Sequence, residues 1–385
     1  WTRELASGGS LLNAVSYISA GLGPVLESDF ATVVDKVEEP VNKSTLNQTV
    51  QARVKDAIWF NSITKTLDEN GKLVYQSSGV EIDYDTDVIA HRNQIKEHIM
   101  TYGAVWGSMS GNMYDPETGN IFYDQTNASY YMGDPDFASS INYGGHAITI
   151  VGWDDSYDKF EAQTLKPEHT GAWIILQSYG TEKFDNGYMY VSYDDVKIDE
   201  VLCGLKNITE VDYDYIYQND KLGMIDIVGY PSGSRVRTEF TKQSNKEEVI
   251  NEIGLYSYFE QTATIYYQDS TGMNELVADA EVYPGYNTIE VTTPQTIKED
   301  TYYIVVEYNC DTLQGQAAFS VEEVNEDIGA NPDISGKSEI SVYTNNSYTE
   351  WLVPQEYKTN DFGFYEYDEN GKAIEVKKYE TTFAN

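Results

Sequence analysis

Cysteine is scarce in this chain of 385 residues, which contains only Cys203 and Cys310. Because the two lie far apart in the sequence, they indicate no disulfide framework, and packing must stabilise the fold. Lysine and arginine are scarce as well, at 25 against 63 aspartates and glutamates, and the formal net charge is −38. Such a charge would repel a phosphate backbone, so we expect no nucleic acid partner.

Long apolar runs are also missing. No segment reaches the length of a membrane span, so we predict no transmembrane segment, and no signal peptide pattern stands at the start. The sequence opens on Trp1 and not on a methionine, from which we expect that upstream residues have been removed. Tyrosine is frequent, at 33 residues, and lysine is rare. This composition favours an exported bacterial protein, located extracellularly or at the cell surface.

Histidine is rare too, and none of the four histidines pairs with further ligands at metal-binding spacing. His91, His98 and His169 stand among polar residues, which predicts surface positions for all three. Calcium is the one cation that the composition suggests, through acidic runs such as residues 83–87. That run starts like an EF-hand loop but lacks the glycine and the terminal glutamate of the motif. The sequence therefore predicts no cofactor, with calcium left open on this weak signal.

The first half of the chain has the element order of an α+β fold. Apolar residues at helical spacing predict helices over residues 11–22 and 88–102, the second with Asp87 as N-cap and Gly103 at its end. Short apolar runs then predict four strands: residues 104–109, 147–153, 172–177 and 188–193. Helices that precede strands in this way are typical of α+β domains.

Near residue 208 the sequence changes character. Short β-branched or aromatic runs now recur about every ten residues, separated by turn residues such as Pro284-Gly285, without a helical pattern. This spacing is typical of a β-sandwich. We therefore predict two domains, an α+β domain over residues 1–207 and an all-β sandwich over residues 208–385.

Two strands of the first domain carry the residues with the clearest chemistry. Gly145 and His146 lead into one predicted strand, which places the imidazole at the mouth of a sheet. The other strand ends at Gln177-Ser178-Tyr179-Gly180, which supplies an amide side chain. An imidazole and an orienting partner activate a nucleophile in covalent catalysis. The two strands therefore look like half of a catalytic site.

With these residues the first domain resembles the papain-like cysteine proteases of the bacterial type. Five segments match family segments: Gly8-Gly9 before a helix, residues 23–29, the strand opened by His146, residues 177–180 in place of the family's Asn-Ser-Trp-Gly, and residues 185–188. The second domain resembles the lectin-like, jelly-roll type β-sandwich of some secreted or cell-surface members, with the closest local matches at residues 254–256 and 285–289.

The resemblance implies a role for each matching residue. His146 would be the catalytic base, and Gln177 would orient its ring in place of the family's asparagine. Four residues would contact the substrate: Gly8, Gly9, Ala147 and Tyr179. Two of these positions depart from the family. The extra methylene of Gln177 would displace its oxygen from the ring unless the backbone compensates, and Tyr179 replaces the tryptophan that shields this contact from water.

The family's nucleophilic thiol has no match in the chain. By the family pattern, the thiol and the oxyanion glutamine belong to a segment that would precede Trp1. Cys203 follows the last protease strand and Cys310 stands in the β-sandwich, so we expect both to be inert buried cysteines.

Two functions remain open. The first is a secreted or cell-surface cysteine endopeptidase that hydrolyses peptide or protein substrates, with a nucleophile outside this chain. The alternative is a catalytically inactive papain-like pseudoprotease that acts as a surface binding, structural or assembly protein. In either case the β-sandwich could bind a cell-surface glycan or a cell-wall polymer, and self-association is left open.

Overall fold

The computed structural model describes residues 11–21, 23, 52–140, 143–218, 223–224, 226–310, 315–322, 338–344, 346–351, 356–357, 375–377 and 382–383. Strands outnumber helices among them, so the described chain is more β-rich than the predicted α+β order suggests. No helix in this part of the chain combines the length and the apolar character that crossing a membrane requires.

There are three described α-helices, α1 (Leu11–Ser19), α2 (Ile89–Tyr102) and α3 (Pro135–Ala138), and a π-helical turn (Tyr84–Val88) leads into α2. The described strands are, in chain order, β1 (Arg53–Trp59), β2 (Thr64–Leu67), β3 (Leu73–Ser77), β4 (Val80–Glu81), β5 (Val105–Ser110), β6 (Tyr123–Asp124), β7 (Ser129–Tyr130), β8 (Gly145–Asp154), β9 (Ala172–Leu176), β10 (Tyr188–Ser192), β11 (Leu202–Thr209), β12 (Asp226–Pro231), β13 (Arg235–Thr241), β14 (Val249–Ser257), β15 (Gln261–Asp269), β16 (Gly272–Val282), β17 (Gly285–Thr296), β18 (Thr301–Asn309), β19 (Gln316–Glu322), β20 (Ser338–Ser341), β21 (Tyr343–Thr344), β22 (Ser347–Tyr348), β23 (Glu356–Tyr357), β24 (Glu375–Lys377) and β25 (Thr382–Phe383).

The chain divides into two compact units. The central unit is Ile58–Lys206, and the flanking unit combines Trp1–Ala57 with Asn207–Asn385. The change of unit at Lys206 falls beside the change of sequence character near residue 208, whereas residues 1–57 group with the C-terminal part of the chain. The functional domains of residues 1–207 and 208–385 stay a prediction.

A sheet of neighbouring strands β11-β5-β8-β9-β10-β7-β6 forms the centre of the central unit. Its strands are antiparallel except for the parallel pair β10 and β7. Alternate residues of β5 and β8 are buried, including Val105, Met109, Ile148 and Ile150. This period of two is the pattern of a sheet with one face packed on the core. It also determines on which face of the sheet each side chain lies at the edge where β8 begins.

Helix α2 differs from the sequence prediction in what it buries. His91 and His98 are buried, so the prediction of surface positions is wrong for these two residues. They stand one helical turn on either side of the fully buried Ile95 and thus share its face. The predicted cap is also wrong, because Val88 is the N-cap residue of α2 and forms no side-chain capping hydrogen bond. Asp83 instead caps the π-helical turn by accepting from the Thr86 N–H.

His169 lies between these extremes, with its side chain partly exposed. Its Nδ1 is 3.1 Å from the buried Asp194 carboxylate, and its ring stacks on Tyr84. The predicted surface position is therefore only partly right for this histidine.

The flanking unit is built from antiparallel strands. One sheet has the order β16-β15-β18-β13-β20, another has β12-β19-β25, and β14 pairs with β17. Buried residues from all three sets pack into one hydrophobic core, among them Val236, Leu255, Ile265, Val306 and Phe319. Within the first of these sheets, β15 and β18 are paired from Thr262 opposite Asn309 to Gln268 opposite Tyr303.

Candidate active site

Strands β8 and β9 bring the predicted catalytic residues to the same edge of the sheet. The two strands are antiparallel, with Thr149 opposite Leu176. His146 stands near the beginning of β8, and Gln177 follows the last residue of β9. Because antiparallel neighbours place the start of one strand beside the end of the other, residues far apart in sequence meet here.

The side chains of His146 and Gln177 form a hydrogen bond, with 2.7 Å between Nε2 and Oε1. An amide oxygen only accepts, so the imidazole donates through Nε2–H. This leaves Nδ1 for another group, and among the described residues no hydrogen bond to Nδ1 is present. The arrangement suits a base that takes a proton on Nδ1 while its ring is held from the other side.

Gln177 is itself fixed in place. Its backbone N–H donates to the Gly187 carbonyl oxygen over 2.9 Å, and its side-chain Nε2 lies 3.8 Å from the Met189 sulfur. The side chain is buried. The extra methylene therefore does not prevent contact with the ring.

The turn that supplies this carbonyl is the predicted one at residues 185–187. Asn186 and Gly187 both have positive φ, at 53° and 90°, the combination that a tight hairpin of this kind needs. A Cβ on Gly187 would lie 3.3 Å from the Gly180 carbonyl oxygen. Position 187 thus favours glycine for two reasons, its positive φ and the close approach of the Gly180 carbonyl oxygen.

Tyr179 covers the imidazole. Its ring stacks on His146 with 5.5 Å between centroids and an interplanar angle of 28°. Phe184 packs against Tyr179 at 5.9 Å, and the Lys183 ammonium lies 5.2 Å from the centroid of the Tyr179 ring. Tyr179 keeps 48% of its surface exposed. It is thus placed to shield one face of the imidazole while its other surface is open to solvent.

Sequence reasoning missed the residues that hold the turn before His146. The N–H of Gly111 donates to the Gly144 carbonyl oxygen over 2.7 Å, and the Asn112 side-chain oxygen accepts from the Gly144 N–H over 2.8 Å. A Cβ on Gly111 would lie 3.4 Å from the Cβ of His146. A Gly-Asn pair after a strand is common in turns, and nothing else in the sequence indicated this role.

Of the four predicted substrate contacts, Ala147 and Tyr179 lie beside His146, and both are exposed. Ala147 stands opposite Ser108 of β5. Gly8 and Gly9 lie outside the described residues. The contacts of all four with a substrate stay predictions.

Solved structures resemble this chain over most of its length. Cwp84, a clostridial cysteine protease after propeptide cleavage, matches with a TM-score of 0.67 and 19% identity over 91% of this chain and 79% of that one. The cysteine protease and lectin-like domains of Cwp84, a surface layer associated protein of Clostridium difficile, match with the same score and identity over 91% and 70%. The chain shares its fold with the cysteine protease and lectin-like domains of Cwp84.

Other comparisons add little to this fold assignment. Digestive procathepsin L2 proteinase from Tenebrio molitor larval midgut matches 52% of this chain at 15% identity with a TM-score of 0.30, which is too low to support an argument. No protein-family model matches the chain, and no curated protein does.

Within this protease-like fold, neither cysteine is placed as a nucleophile. Cys203 is 2% exposed and stands on β11 opposite Trp106, and burial raises the pKa of its thiol to about 12. Cys310 is 4% exposed and belongs to the core of the flanking unit. A reactive thiol must be accessible, and both cysteines are buried, as inert ones are.

Two of the carboxylates that suggested calcium have other partners. Asp83 accepts hydrogen bonds from the backbone and the hydroxyl of Thr86, and Asp87 accepts one from the Asp83 N–H. Across the described parts of the chain, no three His, Cys, Asp or Glu side chains are grouped as a metal would require. Cysteine proteases of this fold need no cofactor, because the thiol and the imidazole carry the chemistry.

Proposed function

We propose that this chain forms the greater part of a secreted or cell-surface cysteine endopeptidase in which His146 is the catalytic base and Gln177 orients it. The observation that carries the proposal is the 2.7 Å hydrogen bond between the two side chains, which fixes the imidazole with Nδ1 available. The stacked Tyr179 ring supports it by shielding one face of the imidazole.

In the proposed reaction, a cysteine thiol gives its proton to Nδ1 of His146, and the thiolate attacks the carbonyl carbon of a peptide bond. The carbon–nitrogen bond then breaks as the imidazolium returns that proton to the leaving amine. Water hydrolyses the resulting thioester with His146 as the base. Throughout, Gln177 accepts the Nε2–H hydrogen bond, which prevents rotation of the ring and stabilises the imidazolium.

The nucleophile is proposed to lie outside these 385 residues. Cys203 and Cys310 are both buried, and a thiol with a pKa of about 12, such as that of Cys203, is almost entirely protonated at neutral pH. The thiol that gives its proton to Nδ1 would therefore come from another polypeptide segment.

The proposed substrates are peptides or proteins, since the fold is that of a protease. Residues 1–207 would form the papain-like α+β domain, and residues 208–385 the lectin-like β-sandwich. The antiparallel sheets and shared core of the flanking unit support the second assignment. That domain would bind a cell-surface glycan or cell-wall polymer, as expected for a protein outside the cell.

The test is covalent labelling of the complete gene product, including whatever precedes residue 1, with an epoxide inhibitor of cysteine proteases. We expect one adduct on a cysteine outside the 385 residues, located by peptide mass spectrometry. His146→Ala should abolish the labelling, whereas His169→Ala should leave it unchanged. An adduct only on Cys203 or Cys310, or no adduct at all, would refute the proposal and leave a catalytically inactive protein.

A further inference from the structure

The flanking unit contains a cavity of about 800 Å³. Its walls include the end of α1, strands β1 and β14, and residues 212–218, which follow β11. Sites for small ligands usually measure about 300–1,000 Å³. The cavity thus has the size of a binding site. His146 and Gln177 are not among its lining residues, so the proposed peptidase chemistry does not involve it.

Aromatic side chains supply much of the wall. Six rings line the cavity: Tyr213, Tyr215, Tyr217, Phe240, Tyr286 and Tyr302. Tyr217 meets Phe240 and Tyr302 edge-on, at 6.4 and 6.1 Å between centroids. Tyr215 is 42% exposed. The wall therefore combines packed aromatic residues with one ring that is open to solvent.

The charges of the wall are mostly negative, since five carboxylates line it against Arg53 and Lys246. Arg53 is already neutralised, because it pairs with Asp212 at 2.9 Å and also with Glu252. Its guanidinium also lies over the Tyr213 ring at 5.3 Å. A positive charge held this firmly is not available to a ligand.

Two carboxylates of the wall differ from the rest. Asp214 and Glu247 are exposed, and within the described part of the chain neither forms an ion pair. Glu248, by contrast, accepts hydrogen bonds from the Tyr217 hydroxyl and the Ser244 N–H. Asp214 is also the sequence neighbour of Tyr215. The lining of the cavity thus includes both unpaired negative charge and an exposed aromatic ring.

This combination selects one kind of ligand chemistry. An anion would meet a surplus of three negative charges, and a purely apolar ligand would leave the carboxylates without partners. An ammonium group gains from both features, because it pairs with a carboxylate and is attracted by the face of an aromatic ring. An apolar stem next to the ammonium would pack on the remaining rings.

We propose that this cavity is a binding site for an alkylammonium group, with Asp214 and Tyr215 as its main contacts. Such a group occurs in free polyamines and in the lysine side chains of peptides. The net charge of −38 would speed the approach of either. The site is independent of whether His146 is catalytic.

Calorimetric titration of the whole protein with spermidine and, separately, with an acetylated tetralysine amide tests the proposal. We expect one equivalent of at least one probe to bind, more weakly at higher salt. Binding of spermidine alone indicates a polyamine site, and tighter binding of the peptide indicates a lysine-bearing polypeptide. Asp214→Asn and Tyr215→Ala should each weaken binding about tenfold.

Two controls separate the site from general attraction to an acidic protein. Glu260→Gln removes the same charge from an exposed position of the flanking unit that does not line the cavity, and Tyr258→Ala removes a ring that is 52% exposed. Both should leave the dissociation constant unchanged. The proposal is overturned if control and cavity variants weaken binding equally, or if neither probe shows saturable binding. It is also overturned if only an uncharged N-acetylglucosamine tetramer binds in a way that depends on the cavity.

Discussion

The side-chain oxygen of Gln177 lies 2.7 Å from Nε2 of His146. Glutamine is one methylene longer than the asparagine that the family resemblance implies at this position, and it nevertheless reaches the ring. Its backbone is held by the Gly187 carbonyl oxygen at the end of β9, so the longer side chain starts from a fixed point. The hydrogen bond, and not the residue type, is what defines the tautomer of His146.

Gln177→Ala should therefore change the tautomer of His146. Without the acceptor, Nε2–H loses its partner, and the proton should distribute over both ring nitrogens. The measurement is the ¹⁵N chemical shift of the ring nitrogens, which requires no activity. If the complete protein labels with an epoxide, the labelling rate should also fall about tenfold, the equivalent of one lost hydrogen bond. Ser178→Ala, the exposed neighbour, should change neither, and an unaltered tautomer in Gln177→Ala would contradict the assigned role.

Tyr179→Ala should expose His146 to solvent and reagents. The ring stacks on the imidazole at 5.5 Å, so its removal opens one face. We expect His146 to react several-fold faster with diethyl pyrocarbonate, measured by mass spectrometry of its peptide. His91 and His98 are buried and should stay unmodified in the native protein. Tyr188→Ala removes a nearby exposed ring and should leave the rate unchanged, whereas equal acceleration by both variants would speak against a specific cover.

Thiol reagents should detect no cysteine in the native 385-residue protein. Cys203 and Cys310 are 2% and 4% exposed, and burial raises the pKa of the Cys203 thiol to about 12. Both should react once the protein is denatured, so a colorimetric assay should count two thiols in denaturant and none in buffer. Fast reaction of one equivalent under native conditions would contradict the inert assignment and reopen the search for the nucleophile within this chain.

Much of the scaffold was predictable from local patterns. The strands β5, β8, β9 and β10 occur within a few residues of the predicted runs, because a strand with one buried face alternates in sequence. The strands β12 to β19 likewise recur at short intervals after residue 208, whereas β20 to β24 were not predicted. The His146–Gln177 contact was predictable only through family resemblance, because the two residues are brought together by antiparallel pairing, which no local pattern specifies.

The buried charges of the central unit were not predictable in this way. His91 and Arg92 lie on the face of α2 that contains Ile95, and their polar character suggested solvent. Arg92 faces Asp194 and Asp199, more than a hundred positions away, and despite burial these carboxylates help to hold its pKa above the usual value. For His91, burial prevails and lowers the pKa. Burying a charged side chain costs free energy unless a partner compensates it, and the position of that partner depends on the tertiary fold.

Lys65→Met should destabilise the central unit by about 3–5 kcal/mol. Its ammonium lies 2.7 Å from the Asp199 carboxylate, both side chains are 0% exposed, and its removal leaves a buried charge without its main partner. Arg92 compensates only in part. Urea unfolding monitored by tryptophan fluorescence measures the loss. The double variant Lys65→Met/Asp199→Leu should recover part of the lost unfolding free energy. If the double variant loses more than the two single variants lose together, this coupling would be contradicted.

Asp195 should make the stability of the central unit depend on pH. Its carboxyl is buried, and burial raises its pKa from the usual 3.8 to about 6, although the N–H groups of Met132 and Lys197 and the charge of Lys65 favour ionisation. Between these values the folded protein binds more protons at this site than the unfolded chain. The contribution of Asp195 to the free energy of unfolding therefore falls as pH rises from about 4 to about 6, by up to about 3 kcal/mol.

Asp195→Asn removes this proton site and isolates its effect. The variant loses one hydrogen-bond acceptor at every pH, a constant cost of about 1 kcal/mol. The difference in unfolding free energy between wild type and variant should thus favour the wild type most near pH 4.5 and least at pH 7, measured by urea unfolding at both values. Asp85→Asn, which changes an exposed carboxylate of the same unit, should show no such trend. A wild-type advantage that grows with pH would mean that the Asp195 carboxylate is stabilised in its charged form, the opposite of what its burial predicts.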